Sequence, residues 1–184
     1  LAGVLFSVLL IPAFLASAQK FTIPVIPDSQ EAVTRKYSMF FKQMEWLADY
    51  KDSMNMPVAL HVGDLVNFDN IQHWEVASLG YSILDKAKLP YVITLGNHDT
   101  EAVQENGGSA APGNVNANVR KTFKFNKYFP GERFTLKAGE FEPGKSDNSF
   151  HLFEAGGLKW IVVSLEFCAR ESAAHWMSDV LNSH

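Results

Sequence analysis

The chain has 184 residues, of which 47% are apolar and 20% are charged, a composition typical of one globular domain. It excludes a disordered or collagen-like chain, and Cys168, the only cysteine, excludes a disulfide-stapled scaffold. The net charge of -4 and the sequence pI near 5.8 argue against a general nucleic-acid binder, which needs a basic surface to hold the phosphate backbone.

The first predicted element in chain order is a secretory signal peptide at residues 1–18. This segment carries no charged residue and ends in Ala16, Ser17 and Ala18, small residues at the spacing that a signal peptidase accepts. It lacks the positive region with which such signals begin, so we expect the sequence to be cut at its N-terminus. We therefore predict a secreted, extracellular protein, with a membrane anchor formed by the uncleaved segment as the alternative.

Three strands and two helices are predicted to alternate after the signal. "FTIPVIPD" at 21–28 predicts a strand that ends at its aspartate, and "VALHV" at 58–62 and "YVITL" at 91–95 predict two more. Apolar residues recur at three- and four-residue spacing over 31–50 and again over 71–88, which predicts a helix in each range. This order predicts a parallel sheet with helices packed on its faces.

The second half of the chain predicts a loop, a helix, a hairpin and a last helix. Residues 101–118 are rich in Gly, Asn and Ala without a period, so we expect a long loop. "VRKTFKFNKYF" at 119–129 predicts an amphipathic helix with phenylalanine on its core face; stacking of nucleic-acid bases fits the acidic chain less well. Residues 148–167 predict a hairpin that joins the sheet, and "SAAHWMSDVLNSH" at 172–184 begins a helix.

Polar residues stand at the end of each strand of the predicted parallel sheet. They are Asp28, Gly63-Asp64 and the "GNHD" of residues 96–99. The carboxyl ends of parallel strands lie at one edge of a sheet, so we expect these residues to converge. Carboxylate and amide oxygens bind hard divalent cations, and Asp64, on the middle strand, is placed to bridge two of them about 4 Å apart. The glycines allow the sharp turns and close backbone approach that such a site needs.

"PDSQ" at 27–30, "GDLVN" at 63–67 and "GNHD" at 96–99, in this order and spacing, resemble the first three motifs of the calcineurin-like metallophosphoesterase family. The first motif matches the subset of that family with Asp-x-Gln. The resemblance covers about residues 21–184 and implies an α/β fold, a layered sandwich of mixed β-sheets flanked by helices. It also implies hydrolysis of phosphate mono- or diesters by a hydroxide that bridges two metal ions.

Carried over to these motifs, the resemblance implies a role for each polar side chain. The metal ligands would be Asp28, Gln30, Asp64 and Asn97. Asp64 would bridge the two divalent ions. The amide of Gln30, in place of the commoner histidine, leaves their identity open, with Mn, Fe, Zn and Mg as candidates. His98 would stabilise or protonate phosphate oxygens, and Asp99 would hold the imidazole of His98 in orientation.

The chain departs from the family pattern in its later histidines. The family completes its site with a further His and a Gly-His-x-His motif, and neither occurs in this sequence. We expect the other histidines to be structural or surface residues; they are His61, His73, His151, His175 and His184. We therefore expect residues 19–184 to be one domain truncated at its C-terminus, with little or no activity of its own.

Alternatives to the secreted phosphoesterase remain at this point. One is a secreted binding module that keeps the fold without turnover, and another is a metal-dependent hydrolase of a different ester or amide bond. The expected partner is a phosphoester, either a small molecule or a macromolecule, with no nucleic-acid binding beyond a substrate. Glu166 ends a strand, and it is either a residue of the site or an acid satisfied by its neighbours.

Overall fold

The computed structural model describes residues 20–107 and 113–184. The predicted signal peptide at 1–18 lies outside the described residues. Six strands form two three-stranded sheets, and six α-helices cover them within the two described stretches. In these stretches no helix combines the length and the apolar character needed to span a bilayer.

The first sheet is parallel, as its order of elements predicts. Its strands pair in the order β1-β2-β3. They are β1 (Val25–Ile26), β2 (Ala59–His61) and β3 (Tyr91–Ile93). The connecting helices are α1 (Gln30–Arg35), α2 (Tyr37–Tyr50) and α3 (Ile71–Ala87). Alternate strand residues such as Ala59 and Ile93 face these helices and join the main core around the buried Phe40, Trp74 and Tyr81.

The second sheet is antiparallel and corrects one prediction. The hairpin of β5 (Ser149–Ala155) and β6 (Leu158–Ser164) is present, but it pairs with β4 (Lys137–Glu140) in a sheet of its own. This sheet packs on the face of the parallel sheet opposite the helices, where Phe153 meets Val58 and Val92 in a second core. The layered sandwich of mixed sheets flanked by helices is confirmed.

A helical layer covers the outer face of the second sheet. Helix α6 (Glu171–Ser183) places Trp176 against two aromatic rings of that face, with its ring centroid 5.8 Å from that of Phe141 and 6.2 Å from that of Phe150. Helix, parallel sheet, antiparallel sheet and helix are thus stacked in order. The carboxyl ends of the parallel strands remain at one edge of this stack.

Several predicted elements are shorter or divided. The helix predicted over 31–50 is interrupted at Lys36, whose backbone (φ -134°, ψ 40°) separates α1 from α2. The apolar spacing hides this break because both helices bury residues in the same core. The loop predicted over 101–118 contains α4 (Val115–Asn118), and the helix predicted over 119–129 is α5 (Phe123–Tyr128) alone. Phe123 is 71% exposed, so the expectation that it faces the core is wrong.

Candidate metal centre

The first motif follows β1 and folds back on itself at the start of α1. The carboxylate of Asp28 accepts hydrogen bonds from the backbone N of Gln30 at 2.9 Å and from its side-chain Nε2 at 3.0 Å. This turn brings Asp28 and Gln30 together, as their spacing predicts. Gln30 Oε1 is buried and accepts no hydrogen bond from the described residues.

The second motif reverses the chain directly after β2. Gly63 (φ +103°) and Asp64 (φ +53°) both have left-handed backbones. The carbonyl oxygen of Asp64 accepts a hydrogen bond from Ser29 N at 3.1 Å, and its Oδ1 accepts one from His98 N at 3.0 Å. Asp64 therefore ties the first motif to the third, in agreement with its central position in the sheet.

Gly96 packs directly against this aspartate. A Cβ atom on Gly96 would lie 2.0 Å from Asp64 Oδ1 and 2.5 Å from Asp64 N, and one on Gly63 would lie 2.8 Å from Gly96 N. No real side chain tolerates contacts this short. The two glycines are therefore needed for the close backbone approach that brings the ends of β2 and β3 together.

The third motif forms a single 3₁₀ turn, Asn97–Asp99. The side-chain amide of Asn97 makes no hydrogen bond within the described residues, so its oxygen is available to a ligand. His98 Nδ1 lies 2.7 Å from the carbonyl oxygen of Asn67. A carbonyl only accepts, so Nδ1 carries the hydrogen and Nε2 is the atom left for chemistry.

The structure corrects the role predicted for Asp99. Its carboxylate accepts hydrogen bonds from Val66 N at 3.0 Å and from Gly96 N at 2.9 Å, while the imidazole of His98 is oriented by Asn67. Burial raises the pKa of Asp99 to about 7, against the opposing effect of these backbone amides. Asp99 therefore holds the loop backbone in place and does not orient His98.

Asn67 is the residue of the site that sequence reasoning missed. It is buried, and its side-chain Nδ2 donates a hydrogen bond to Glu31 Oε1 at 3.1 Å while its carbonyl oxygen accepts from His98. The only signal in the sequence is its place at the end of the "GDLVN" motif. A contact made through a backbone carbonyl leaves no trace in residue type, which is why this role was not predictable.

His61 supports the site from beneath without taking part in it. Its Nε2 lies 3.0 Å from the hydroxyl of Ser29, which donates to the carbonyl oxygen of Leu65 at 3.1 Å, and its Nδ1 accepts from Gly63 N at 3.2 Å. Burial lowers the pKa of His61 to about 4, so the ring is neutral. The expectation that His61 is a structural residue is confirmed. The hydroxyl of Ser29 is engaged in these same hydrogen bonds.

The burial of neutral His61 makes folding sensitive to acid. Its pKa is about 4 in the folded state against 6.5 for a histidine open to water, so protonation favours unfolding as the pH falls from 6.5 to 4. We expect protonation of His61 to lower the free energy of unfolding by about 3 kcal/mol over this interval. Urea unfolding at pH 7 and pH 4.5 should show a smaller acid loss in His61→Gln than in the parent. The control is His175→Gln, whose side chain is 76% exposed; an equal acid loss in all three proteins would contradict the prediction.

Of the two alternatives for Glu166, the structure supports the second: its carboxylate is paired with neighbouring residues and does not belong to the strand-end site. Its buried carboxylate accepts a hydrogen bond from Arg170 Nε at 2.8 Å and lies 3.2 Å from Arg120 Nη1. Burial raises its pKa, but the hydrogen bonds of Arg170 and Asn148 and the charge of Arg120 bring it below the ordinary range. The cluster joins the start of β5, the end of β6 and the start of α6.

Loss of this charge should destabilise the domain. Glu166→Gln keeps the shape of the side chain but leaves two guanidinium groups without their common carboxylate, and we expect a loss of about 2 kcal/mol in the free energy of unfolding. The measurement is the midpoint of urea unfolding at pH 7. Glu171→Gln, at a position whose side chain is 91% exposed, is the matched control and should leave the midpoint unchanged. A parent-like midpoint in Glu166→Gln would show that the cluster adds nothing.

The residues at the strand ends fit a divalent cation. The donor set comprises two carboxylates and two amide oxygens, the hard ligands that such ions prefer. Gln30 Oε1, buried without a hydrogen-bond donor among the described residues, is an acceptor that a cation would satisfy. Within residues 20–107 and 113–184, no three histidine, cysteine or carboxylate side chains lie close enough together to bind one metal ion. A metal site at the strand ends therefore depends on the two amides.

Acids, amides and an imidazole lie at the carboxyl ends of a parallel sheet inside an α/β sandwich, an arrangement typical of a metal-dependent hydrolase. A family model described as calcineurin-like phosphoesterase matches residues 23–181. The chain therefore belongs to the calcineurin-like phosphoesterase family, whose members generally use divalent metal ions to hydrolyse phosphoesters. The resemblance carried by the three strand-end motifs is confirmed.

A curated relative provides a second match. The chain is 27% identical over 168 residues to the uncharacterized protein YvnB of Bacillus subtilis (strain 168). The match takes in 89% of this chain but 12% of that relative. The chain thus spans about an eighth of the length of the relative, whose name assigns no activity.

Proposed function

We propose that this domain is the phosphoesterase part of a protein that hydrolyses phosphate mono- or diesters with two divalent cations. The observation that carries the proposal is the junction at Asp64, which receives hydrogen bonds from Ser29 in the first motif and from His98 in the third. Three segments that carry the proposed ligand side chains are thereby held at one sheet edge. Such preorganised groups stabilise a charged transition state without reorganising during the reaction.

Four side chains of this chain are the proposed metal ligands. Asp28 and Gln30 would hold one cation, Asn97 the other, and Asp64 both. When bound, the cations would supply Lewis-acid stabilisation of phosphate oxygens and lower the pKa of water. The hydrogen bond from Gln30 Nε2 to Asp28 sets the side-chain amide so that Oε1 is the free acceptor.

His98 would act on the phosphate rather than on a cation. Its Nδ1 hydrogen is directed to the carbonyl oxygen of Asn67. In the imidazolium form both ring nitrogens carry hydrogen, and Nε2 is then the atom that would donate to a phosphate oxygen or protonate the leaving group. We expect His98→Gln, made in the full-length protein that contains this domain, to lower kcat about 100-fold while leaving metal binding unchanged. Steady-state kinetics with p-nitrophenyl phosphate and calorimetric metal titration measure the two effects. His175→Gln serves as control, and a His98→Gln variant with parental kcat would remove the imidazole from the mechanism.

The proposed function is tested by metal depletion and restoration. The full-length protein that contains this domain is treated with a chelator, exchanged into metal-free buffer and assayed with p-nitrophenyl phosphate and bis(p-nitrophenyl) phosphate after addition of Mn²⁺, Fe²⁺, Zn²⁺ or Mg²⁺. We expect hydrolysis to disappear on depletion and to return with at least one of these ions. Hydrolysis that survives depletion, or no hydrolysis with any ion, would contradict the proposal.

A non-catalytic binding module is the second candidate. It is favoured by the donor set, in which only Asp28 and Asp64 are charged and Asp28 already accepts two hydrogen bonds from Gln30. Fewer charged ligands weaken the hold on a cation. Calorimetric binding of a metal ion without turnover of either ester would support this module over the enzyme.

A further inference from the structure

A cationic cleft lies beside the segment that carries the third motif. It has a volume of about 570 Å³ and opens between the loop before α5, the first turns of α5 and the turn at Gly144. The charged and aromatic residues that line it are Glu101, Arg120, Lys121, Phe123, Lys127 and Lys145. Four cations thus face one carboxylate in a chain whose net charge is -4. The charge of this cleft is opposite to that of the chain as a whole.

Two of the four cations are available to a ligand. Arg120 is committed to Glu166 and to the carbonyl oxygens of Phe167 and Cys168. Lys127 pairs with no carboxylate among the described residues, and its Nζ lies 5.4 Å from the centroid of the Tyr128 ring.

The other available cation is Lys121, whose ion pair is loose. Its Nζ lies 3.7 Å from Glu101 Oε2, and the two side chains are 55% and 41% exposed. Lys145 is closer to its partner, with Nζ 3.2 Å from Glu142 Oε2. Exposed ion pairs such as Lys121–Glu101 contribute little stability, so Lys121 can exchange Glu101 for a more highly charged anion at little cost.

Phe123 adds an apolar wall to the same cleft. Phe125 and Phe129, on the same segment, are fully buried, whereas Phe123 is exposed at the cleft. The cleft is also joined to the candidate metal centre, because the backbone N of Glu101 donates to the carbonyl oxygen of Lys121 at 3.0 Å shortly after the "GNHD" turn ends. Its position is therefore fixed by the fold rather than by the lysine side chains alone.

We propose that this cleft binds a polyvalent oxyanion, a pyrophosphate-type chain of two or more phosphate groups. Ammonium groups bind phosphate as point charges. Two of them on one cleft therefore favour an anion that carries two charges close together. Phe123 would contact the apolar part of an organic diphosphate. Binding here does not rest on the proposed hydrolytic function, since none of these residues is a proposed metal ligand.

The test is calorimetric titration of inorganic pyrophosphate into the intact, metal-free protein at low ionic strength. We expect saturable binding at one site that the double variant Lys121→Ala/Lys127→Ala weakens about tenfold or more. The double variant Lys42→Ala/Lys86→Ala removes the same charge from exposed positions on α2 and α3 and should leave the affinity unchanged. Glu101→Gln, which removes the single carboxylate of the cleft, should strengthen binding.

Three outcomes would overturn the proposal. They are the absence of pyrophosphate binding, an equal loss in the two lysine double variants, and an affinity for inorganic phosphate that matches the affinity for pyrophosphate. The thermal unfolding midpoint of each variant is measured alongside, and Glu101→Gln keeps the test valid if the lysine variant is unstable. Because metal is absent throughout, a failure here is separate from a failure of the proposed phosphoesterase activity.

Discussion

Asp64→Asn, made in the full-length protein, is expected to lower phosphoesterase activity at least about 100-fold while leaving the fold intact. Asp64 has a left-handed backbone (φ +53°), which asparagine adopts more readily than most residues. Asparagine also keeps an Oδ1 atom to accept the hydrogen bond from His98 N. The substitution therefore removes one negative charge and little else. Since Asp64 is the only side chain proposed to hold both cations, its charge should matter more than that of any other ligand.

Two measurements separate this effect from unfolding. Steady-state hydrolysis of p-nitrophenyl phosphate at saturating metal gives the activity, and calorimetric titration of the metal-free protein gives the number of ions bound. Asp52→Asn, at a side chain 88% exposed, changes the net charge equally and should behave as the parent does. Unchanged turnover and unchanged metal stoichiometry in Asp64→Asn would show that the ligand assignment is wrong.

Gly96→Ala is expected to destabilise the domain by about 3 kcal/mol and to abolish metal binding. The added methyl group would lie 2.0 Å from Asp64 Oδ1 and 2.5 Å from Asp64 N, so the backbones after β2 and β3 must separate. The hydrogen bond from Gly96 N to Asp99 would be strained by the same shift. The effect is steric, and no repacking of a flexible side chain relieves it.

The control for Gly96→Ala is Gly131→Ala. There the added methyl group meets the flexible end of Lys137, with Nζ at 2.0 Å, and this end can move away. Urea unfolding and metal titration of both variants measure the difference. If Gly96→Ala unfolded at the parental urea concentration, the close contact between the ends of the two strands would not matter to the fold.

The position of the polar residues at one sheet edge was predictable because a single rule of topology determines it. Alternating strands and helices imply a parallel sheet, and the polar residues after its strands must then meet at one edge. Asp28, Asp64 and the "GNHD" turn follow their strands as expected. Local sequence was sufficient here because the residues of each motif are adjacent in the chain.

Contacts that depend on tertiary packing were not predictable. The family resemblance implied that Asp99 orients His98, but the buried carboxylate of Asp99 accepts from backbone amides, and the imidazole of His98 is hydrogen-bonded to Asn67. Strand β4, with the sequence "KAGE", has no apolar alternation, and it is a strand because β5 pairs with it. The break at Lys36 likewise leaves the apolar spacing undisturbed.

The hydrogen bonds that assemble the site have a consequence for folding kinetics. Val66 N and Asp99 Oδ1 belong to residues 33 positions apart, and His98 N and Asp64 Oδ1 to residues 34 positions apart. Nonlocal contacts of this kind form late, after the chain entropy of closing long loops has been overcome. The amide hydrogens of Val66 and His98 should therefore gain protection from exchange with solvent only when the parallel sheet is complete. Their exchange rates would report the assembly of the site without any substrate.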